Sequence, residues 1–509
     1  MSGILFTYIP GNGLVGPGRF FEANSGGQYQ PSGRFILVGF KTSAGSMALN
    51  TPIPVASQNM VDAFAGAGSM LREMYRITQQ QNTAGLPIYI MAIDDSALTA
   101  RVGTITIGSG LAAGVGAFEF CGELIQIPVG SADTPTTIAA AGAAALNSYY
   151  NPLTGAMLPV TATSSAGVVT WTARNKGAWA SEIDIWVNPK ILGNVFAISG
   201  VWTAATTTAG AGTPTGVAAA LAVLGDTQAD FIVCPFADTT SLGSAYAALN
   251  DISGRWSWSR QSYGHYWCAG VGNYSALTSL TFNNDRHSTF FGCFSPGANG
   301  TPHGSWLWIA AAAAAVAQRL LDVTTGNVSG AQAGTVLVGV RPPRDQILWP
   351  NYTARNTLLQ LGVSTWSVNS AGQVMIDKLI TTYLTGSGGQ SDAVFRDIQA
   401  VYQASGGLKF MRADMDANFA QRALAPTNPG SLGVIVTPAD IKSQFISSYT
   451  KLTKQGVFSD AATFASLLVI QINATNPDRA DVYAPLERVN PFDILAANAT
   501  FYQQYPQAA

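Results

Sequence analysis

Residues 353–383, TARNTLLQLGVSTWSVNSAGQVMIDKLITTY, decide how this chain reads. Positions 354–361 put Leu358, Leu359 and Leu361 on one helical stripe, and Gly362 follows where a helix end takes a left-handed residue. Residues 363–368 then alternate, with Trp366 and Val368 on one face. Asn369-Ser370-Ala371-Gly372 supplies a turn, and 374–383 runs back antiparallel, dense in Ile, Thr and Tyr. A helix and hairpin joined this tightly, inside a helix-rich half, predict the central sheet of an α+β domain.

The 509 residues are too many for one compact domain and predict two or three. A hydrophobic content of 47% and a mean hydropathy of +0.20 exclude a disordered chain. Charge is the unusual quantity. Only 11% of residues are Asp, Glu, Lys or Arg, against roughly 25% in a typical soluble domain. So neutral a surface points to burial against other copies of the chain, although Ser, Thr, Asn and Gln also solvate a surface.

The net charge of −2 leaves no basic footprint for direct nucleic-acid binding. The start, MSGILFTYIPGNG, has neither a charged opening nor a long apolar core, which predicts no signal peptide. The longest apolar run, 306–317, is shorter than the roughly 20 residues a bilayer needs and predicts a buried Ala-rich helix, not membrane insertion. Cys121, Cys234, Cys268 and Cys293 are too few and too scattered for a disulfide scaffold. The chain reads as soluble and made in a reducing cytoplasm.

Along the chain, residues 1–22 are apolar but broken by Gly and Pro, which predicts an arm that docks on something. Strands are predicted at 34–40 and 86–93, with helices opening after Ser57 and at Ser69 between them. From 101 the texture turns β-rich, with strands near 104–107, 118–120, 124–129 and 183–187, and a hairpin of 158–163 with 168–173. Thr134-Pro135 opens an Ala-rich helix, and 203–216 reads as a Thr/Ala/Gly linker. Helices and strands then resume, including strands at 230–235, 266–272, 288–294 and 336–340. Residues 391–424 read as helical with a weak point at Gly406-Gly407, and Thr437-Pro438 opens a further helix. Strands at 467–472 and 479–484 precede a polar-aromatic tail, 490–505, a second candidate arm.

Catalytic chemistry is hard to find. Gly11-x-Gly13-x-x-Gly16 matches a dinucleotide fingerprint in form, but Pro17-Gly18 follows it where a helix should begin. There is no P-loop and no Gly-x-Ser-x-Gly elbow, so any mechanical work must draw on energy stored during assembly. His265-x-x-Cys268 with His287 and Cys293 could hold zinc, yet the gaps are irregular and the surroundings apolar and strand-like, where buried Cys and His are ordinary. Arg255-Trp256-Ser257-Trp258 with Tyr263, Tyr266 and Trp267 offers an aromatic platform for a glycan or for bases, or equally core or an inter-subunit patch. Asp94-Asp95 reads as a turn or cap. The reading therefore assigns no catalytic residue, no cofactor and no metal.

GVSTW at 362–366 and DKLITTY at 377–383 are similar to the C-terminal core of the contractile tail sheath proteins of Mu-like bacteriophages. So are GAGSML at 66–71, DTPTTIAAAGAAALN at 133–147, LPVTAT at 158–163, GVVTWTARNKG at 167–177, DFIVCPF at 230–236, VTPADIK at 436–442 and NPDRADVYAP at 476–485. None is a catalytic signature, and specificity comes from their number and shared order. Two stretches depart from the pattern: 254–304 is more aromatic and 385–392 richer in Gly and Ser.

The resemblance implies a structural virion protein, assembled in the host cytoplasm, that stacks as hexameric rings around an inner tail tube protein. Baseplate and tail terminator proteins would be its other partners. Terminal arms would add strands to neighbouring subunits, and contraction by subunit rotation would drive the tube through the host envelope. The expected organisation is a mixed-sheet α+β core at 23–100 and 216–489, an inserted β-rich domain at 101–215, and arms at 1–22 and 490–509. The helices at 391–424 and 438–455 are the candidate tube contacts. The alternative is a secreted or virion glycan-binding protein or hydrolase using the aromatic cluster at 256–267.

Overall fold

The computed structural model describes residues 34–501 apart from 82, 84, 188, 190–192, 198–201 and 295–298. The arm expected at 1–22, with its glycine fingerprint, lies outside the described residues. Strand β1 (Phe35–Phe40), FILVGF, buries all six residues, as a strand covered on both faces must. After β2 (Ile53–Val55), the Ser57 side chain accepts from the Met60 N–H and opens α1 (Gln58–Ala65). Ser69 accepts from the Arg72 N–H and opens α2 (Met70–Gln79). Strand β3 (Ile88–Ile93) closes this part.

The next strands are β4 (Val102–Ile107), β5 (Gly114–Phe120) and β6 (Glu123–Val129). Helix α3 (Pro135–Ser148) starts at a Thr134–Thr137 capping box with Pro135 in its first turn. Strands β7 (Val160–Ser165) and β8 (Val168–Ala173) form a hairpin whose two loop residues, Ala166 and Gly167, both have φ > 0 (45° and 83°). With β9 (Ile185–Val187) and β10 (Trp202–Thr208) they make two small antiparallel sheets, ordered β10-β4-β8-β7 and β6-β5-β9.

The chain then alternates helix and strand: α4 (Val217–Val223), β11 (Phe231–Val233), α5 (Thr239–Leu249), β12 (His265–Val271), α6 (Tyr274–Thr278), β13 (Ser288–Cys293), α7 (Ser305–Leu321), α8 (Tyr352–Gln360), β14 (Val363–Val368) and β15 (Val374–Lys378). The C-terminal part holds α9 (Ile398–Phe419), the short pair β16 (Ala423–Leu424) and β17 (Ile435–Val436), α10 (Pro438–Lys454), α11 (Ala461–Leu467), and the hairpin of β18 (Val469–Ile472) with β19 (Ala480–Tyr483). No helix of the described residues is long and apolar enough to cross a membrane.

One mixed sheet, ordered β15-β14-β13-β12-β11-β1-β3-β2, runs through the core. Its interior strands are parallel, and β15 and β2 are antiparallel at the two edges. Strand β1 pairs with β11, Phe35 opposite Phe231, although the two small sheets lie between them in sequence. Helix α7 packs on β11 and β12 and against α2 and α9. Alanines 310–314 are fully buried, and Trp306, Leu307, Trp308 and Ile309 before them are buried too, the all-round apolar surface of a helix enclosed in a core.

The predicted hairpin of 363–383 is present, with Gly362 at φ +86° and Asn369 accepting from the Ala371 and Gln373 N–H groups in its turn. It lies at the edge of the central sheet, and its return strand stops at Lys378 instead of 383. Behind that edge, parallel strands linked through helices give the core an α/β alternation. The hairpin could not announce this, because crossover partners are distant in sequence.

Three local readings change. The Thr/Ala stretch at 203–216 is not a plain linker: it contains most of β10, an exposed edge strand whose β-branched threonines suit a sheet without a hydrophobic signal. Residues 336–340 form no strand, only a bridge from Val336 to Met375. Helix α9 runs unbroken through Gly406-Gly407. A Cβ on Gly406 would meet Val323 at 2.4 Å and one on Gly407 would meet Phe458 at 2.5 Å, so these glycines permit close packing and do not break the helix.

Candidate assembly surfaces

Low surface charge is matched by charge turned inward. Arg72, almost wholly buried, pairs with Asp62 at 2.9 Å and Glu73 at 2.5 Å, and donates to the Gly155 carbonyl. Glu73 also accepts from the Met157 N–H and pairs with Arg76 at 2.7 Å. Arg344 pairs with Asp184 at 2.5 Å and Glu119 at 3.0 Å. The Glu182 carboxylate accepts from the Ser305 N–H at the start of α7, and burial raises it to about 7. These groups strap the small sheets to the core. Arg72, Glu73 and Arg76 are close in sequence. The contacts that reach across to the small sheets, of Arg72 and Glu73 with Gly155 and Met157, of Arg344 with Glu119 and Asp184, and of Glu182 with Ser305, join residues far apart along the chain, so nothing in the sequence neighbourhood marks them.

The C-terminal end is built differently. Residues 487–489 dock on 457–459 through Ser459 N–H to the Glu487 carbonyl (2.9 Å) and Val489 N–H to the Val457 carbonyl (3.2 Å). The buried Gln403 amide donates to the Val489 carbonyl at 2.8 Å. Tyr449, stacked 3.8 Å from Phe464, accepts from the Glu487 N–H. Beyond this dock a four-charge cluster holds the chain. Lys378 Nζ lies 2.6 Å from Asp493 and 3.0 Å from Asp397, and Arg488 lies 3.3 Å from Asp397.

Past Asp493 the described chain has neither helix nor strand. Phe492, Ile494, Leu495 and Phe501 are 76%, 78%, 79% and 95% exposed. Among the described residues β18 and β19 form a sheet of two strands, with Val469 and Tyr483 facing solvent. A lone hairpin is marginal in water, and its unpaired edges are templates for another strand.

The residues weighed for chemistry serve the core. His265 Nε2 is 2.8 Å from Thr289 Oγ1, and burial holds its pKa well below the usual histidine range. Cys268 donates to the Thr289 carbonyl, and Cys293 lies near the Phe291 carbonyl. His287 sits against Trp256, with Asp251 at 3.4 Å. His265 and Cys268, three apart on β12, point to opposite faces of the sheet. Among the described residues, no three His, Cys, Asp or Glu gather as a metal site would require.

The aromatic platform is not presented to solvent. Trp256, Tyr263, Tyr266 and Trp267 are buried, and Trp258 alone of that cluster is exposed. Asp94 accepts from the N–H and hydroxyl of Ser96, which lowers its pKa, while Asp95 accepts from Lys176 N–H and Asn175. This is turn chemistry. Of the helices expected to touch a tube, α9 and α10 spend Lys409 on Asp230 (2.5 Å) and Lys451 on Asp414 (3.2 Å). Arg412, Asp416 and Lys454 remain exposed.

Comparison with known proteins bears on these surfaces. Residues 209–382 match the family model described as the phage tail sheath protein central domain. Over 467 residues, 91% of each chain, the sequence is 27% identical to the Mu-like prophage FluMu tail sheath protein of Haemophilus influenzae. Among solved structures, a sheath tail protein of Listeria innocua is similar at 12% identity and a TM-score of 0.44, covering 90% of this chain and 92% of that one. A chain of the contracted anti-feeding prophage baseplate is similar at 14% identity and a TM-score of 0.45, covering 97% and 100%. The resemblance drawn from the sequence motifs is thereby borne out.

Proposed function

We propose that this chain, a relative of Mu-like tail sheath proteins, is the subunit of a contractile sheath that polymerises around an inner tail tube. The observation that carries the reading is the C-terminal end, an anchored base followed by an exposed apolar stretch, together with a hairpin that pairs with no third strand among the described residues. A tail of one copy adding a strand to the hairpin of another would bury apolar side chains on both and satisfy the free backbone groups. Main-chain pairing of this kind tolerates reorientation of the bodies it joins.

On this reading the subunits stack as hexameric rings, and contraction is a rigid-body rotation about arm hinges from a metastable to a more stable packing. Residues 1–22 and 490–509 are the arms, 23–100 and 216–489 the core, and 101–215 the insert. Helices α9 and α10 face the tube, and baseplate and terminator proteins close the ends. Assembly takes place in the host cytoplasm and the product is the virion tail. Low surface charge and inward-turned ion pairs suit a protein whose exterior meets other copies.

The test is deletion of 490–509, followed by negative-stain microscopy over a concentration series. The expected result is a folded chain, judged by its melting transition, that no longer forms hollow striated tubes under conditions where the full chain does. Normal tubes from the truncated chain would sink the assignment.

A further inference from the structure

We propose that Trp258 of one copy seats in an apolar groove of the next, a head-to-tail contact additional to the arms. The proposal rests on the reading of the chain as a self-assembling subunit. Trp258 is 83% exposed and Ile252 on the same loop 85% exposed, yet the loop is held rigidly. The buried Arg255 guanidinium donates to the carbonyls of Tyr263 (2.6 Å), Gly225 (2.5 Å), Thr227 (2.6 Å) and Ser262 (3.2 Å). Asn250 accepts from the N–H groups of Ile252, Ser253 and Gly254, and Gln261, itself bonded to Arg412, donates to the Trp258 carbonyl. A preorganised indole on a fixed loop loses little freedom on binding, and Trp, with Tyr and Arg, is enriched at interface hot spots.

The groove has a volume of about 390 Å³ and is floored by Leu277, Trp349, Leu358 and Trp366, with Tyr274 and the 88% exposed Ile347 on its rim. Its place in the sheet is what pairs it with Trp258. The loop bearing Trp258 precedes the first residue of β12, and Arg255 ties it to the turn before β11, so it stands at the N-terminal ends of the parallel strands. The groove is lined by Gly292 and Phe294 at the far end of β13 and by α6, which follows β12, so it opens at the C-terminal ends. Seven residues of β12 separate the two levels by about 20 Å. A knob and a hole at opposite ends of one sheet cannot meet within a chain. Between chains they make a heterologous contact that repeats in one direction.

The test uses the full chain with two variants. Trp258→Ala should leave the melting temperature unchanged and raise the concentration at which tubes appear about 30-fold, as expected for a hot-spot side chain. The double variant Trp258→Cys with Ile347→Cys, oxidised under assembly conditions, should give a ladder of covalent dimers, trimers and higher species. The native Cys121, Cys234, Cys268 and Cys293 are buried and do not compete. Tubes forming at the wild-type concentration without a ladder would overturn the contact and leave the assembly reading standing. A dimer band alone would mark a closed two-fold pair and overturn head-to-tail stacking. A wild-type chain that never assembles, with the inner tube protein supplied, would overturn both.

Discussion

Replacing Lys378 by Met should release the base of the C-terminal arm while leaving the body of the protein intact. Lys378 Nζ lies 2.6 Å from Asp493 and 3.0 Å from Asp397, and the three side chains are 24%, 21% and 8% exposed. A hydrogen bond to a charged group contributes about 1.5–3 kcal/mol when sheltered. With roughly a fifth of Lys378 and Asp493 in water, the Asp493 pair is better taken as about 1–2 kcal/mol. Methionine keeps the apolar stem and removes the charge, so packing against the stem survives. The loss corresponds to an approximately tenfold larger detached population of residues 490–493, since 1.4 kcal/mol is a factor of ten. Detachment should stop at Val489, whose N–H and carbonyl stay bonded to Val457 and Gln403.

Limited chymotryptic cleavage after Phe492 reads this population directly when opening is fast relative to cutting. The variant should be cut about tenfold faster than the wild type, and the gap should narrow in high salt as the wild-type pair is screened. Asp493→Asn should mimic the effect, and the double variant should be no worse than either single one, because the same pair is lost once. Equal cleavage rates in wild type and Lys378→Met, or additive effects in the double variant, would refute the anchoring role of this pair. The hinge of the arm would then lie at Val489 and not after Asp493.

Two further outcomes follow from the interior. Glu182 has its carboxyl raised to about 7 from an ordinary 4.5, so its contribution to stability is full below pH 4.5 and lost as pH rises through 7. Glu182→Gln removes that dependence, and chemical denaturation should find the variant about 2.5 kcal/mol better off relative to wild type at pH 8 than at pH 5; a constant difference would refute the assignment. Gly407→Ala places a Cβ 2.5 Å from the Phe458 ring, beside the residues on which the tail docks. It should cost about 1–3 kcal/mol by overpacking, where Ala in an ordinary helix interior would stabilise; a raised melting temperature would contradict that packing.

Much of the local structure was written in short sequence patterns, because the forces that set it act within a few residues. Ser57, Ser69, Thr134 and Thr437 open the helices they were expected to open, since each accepts from an N–H two or three residues on. The alternation from Val363 to Val368 and the turn at Asn369 gave the hairpin, and Gly362 took its left-handed place. The motifs shared with sheath proteins were legible for the same reason. What sequence could not supply was pairing over distance. That β10 would edge a sheet with β4, that β1 would lie beside β11, and that Gly407 would admit Phe458 depend on partners brought together only by the packed core. Trp256 and Trp258 show the division most plainly: two positions apart with the same side chain, one bonds the Gly264 carbonyl inside the core and the other stands in water. Residue type fixed the chemistry available at both. Burial, which decides whether that chemistry holds the fold or meets a neighbour, was settled by the tertiary structure alone.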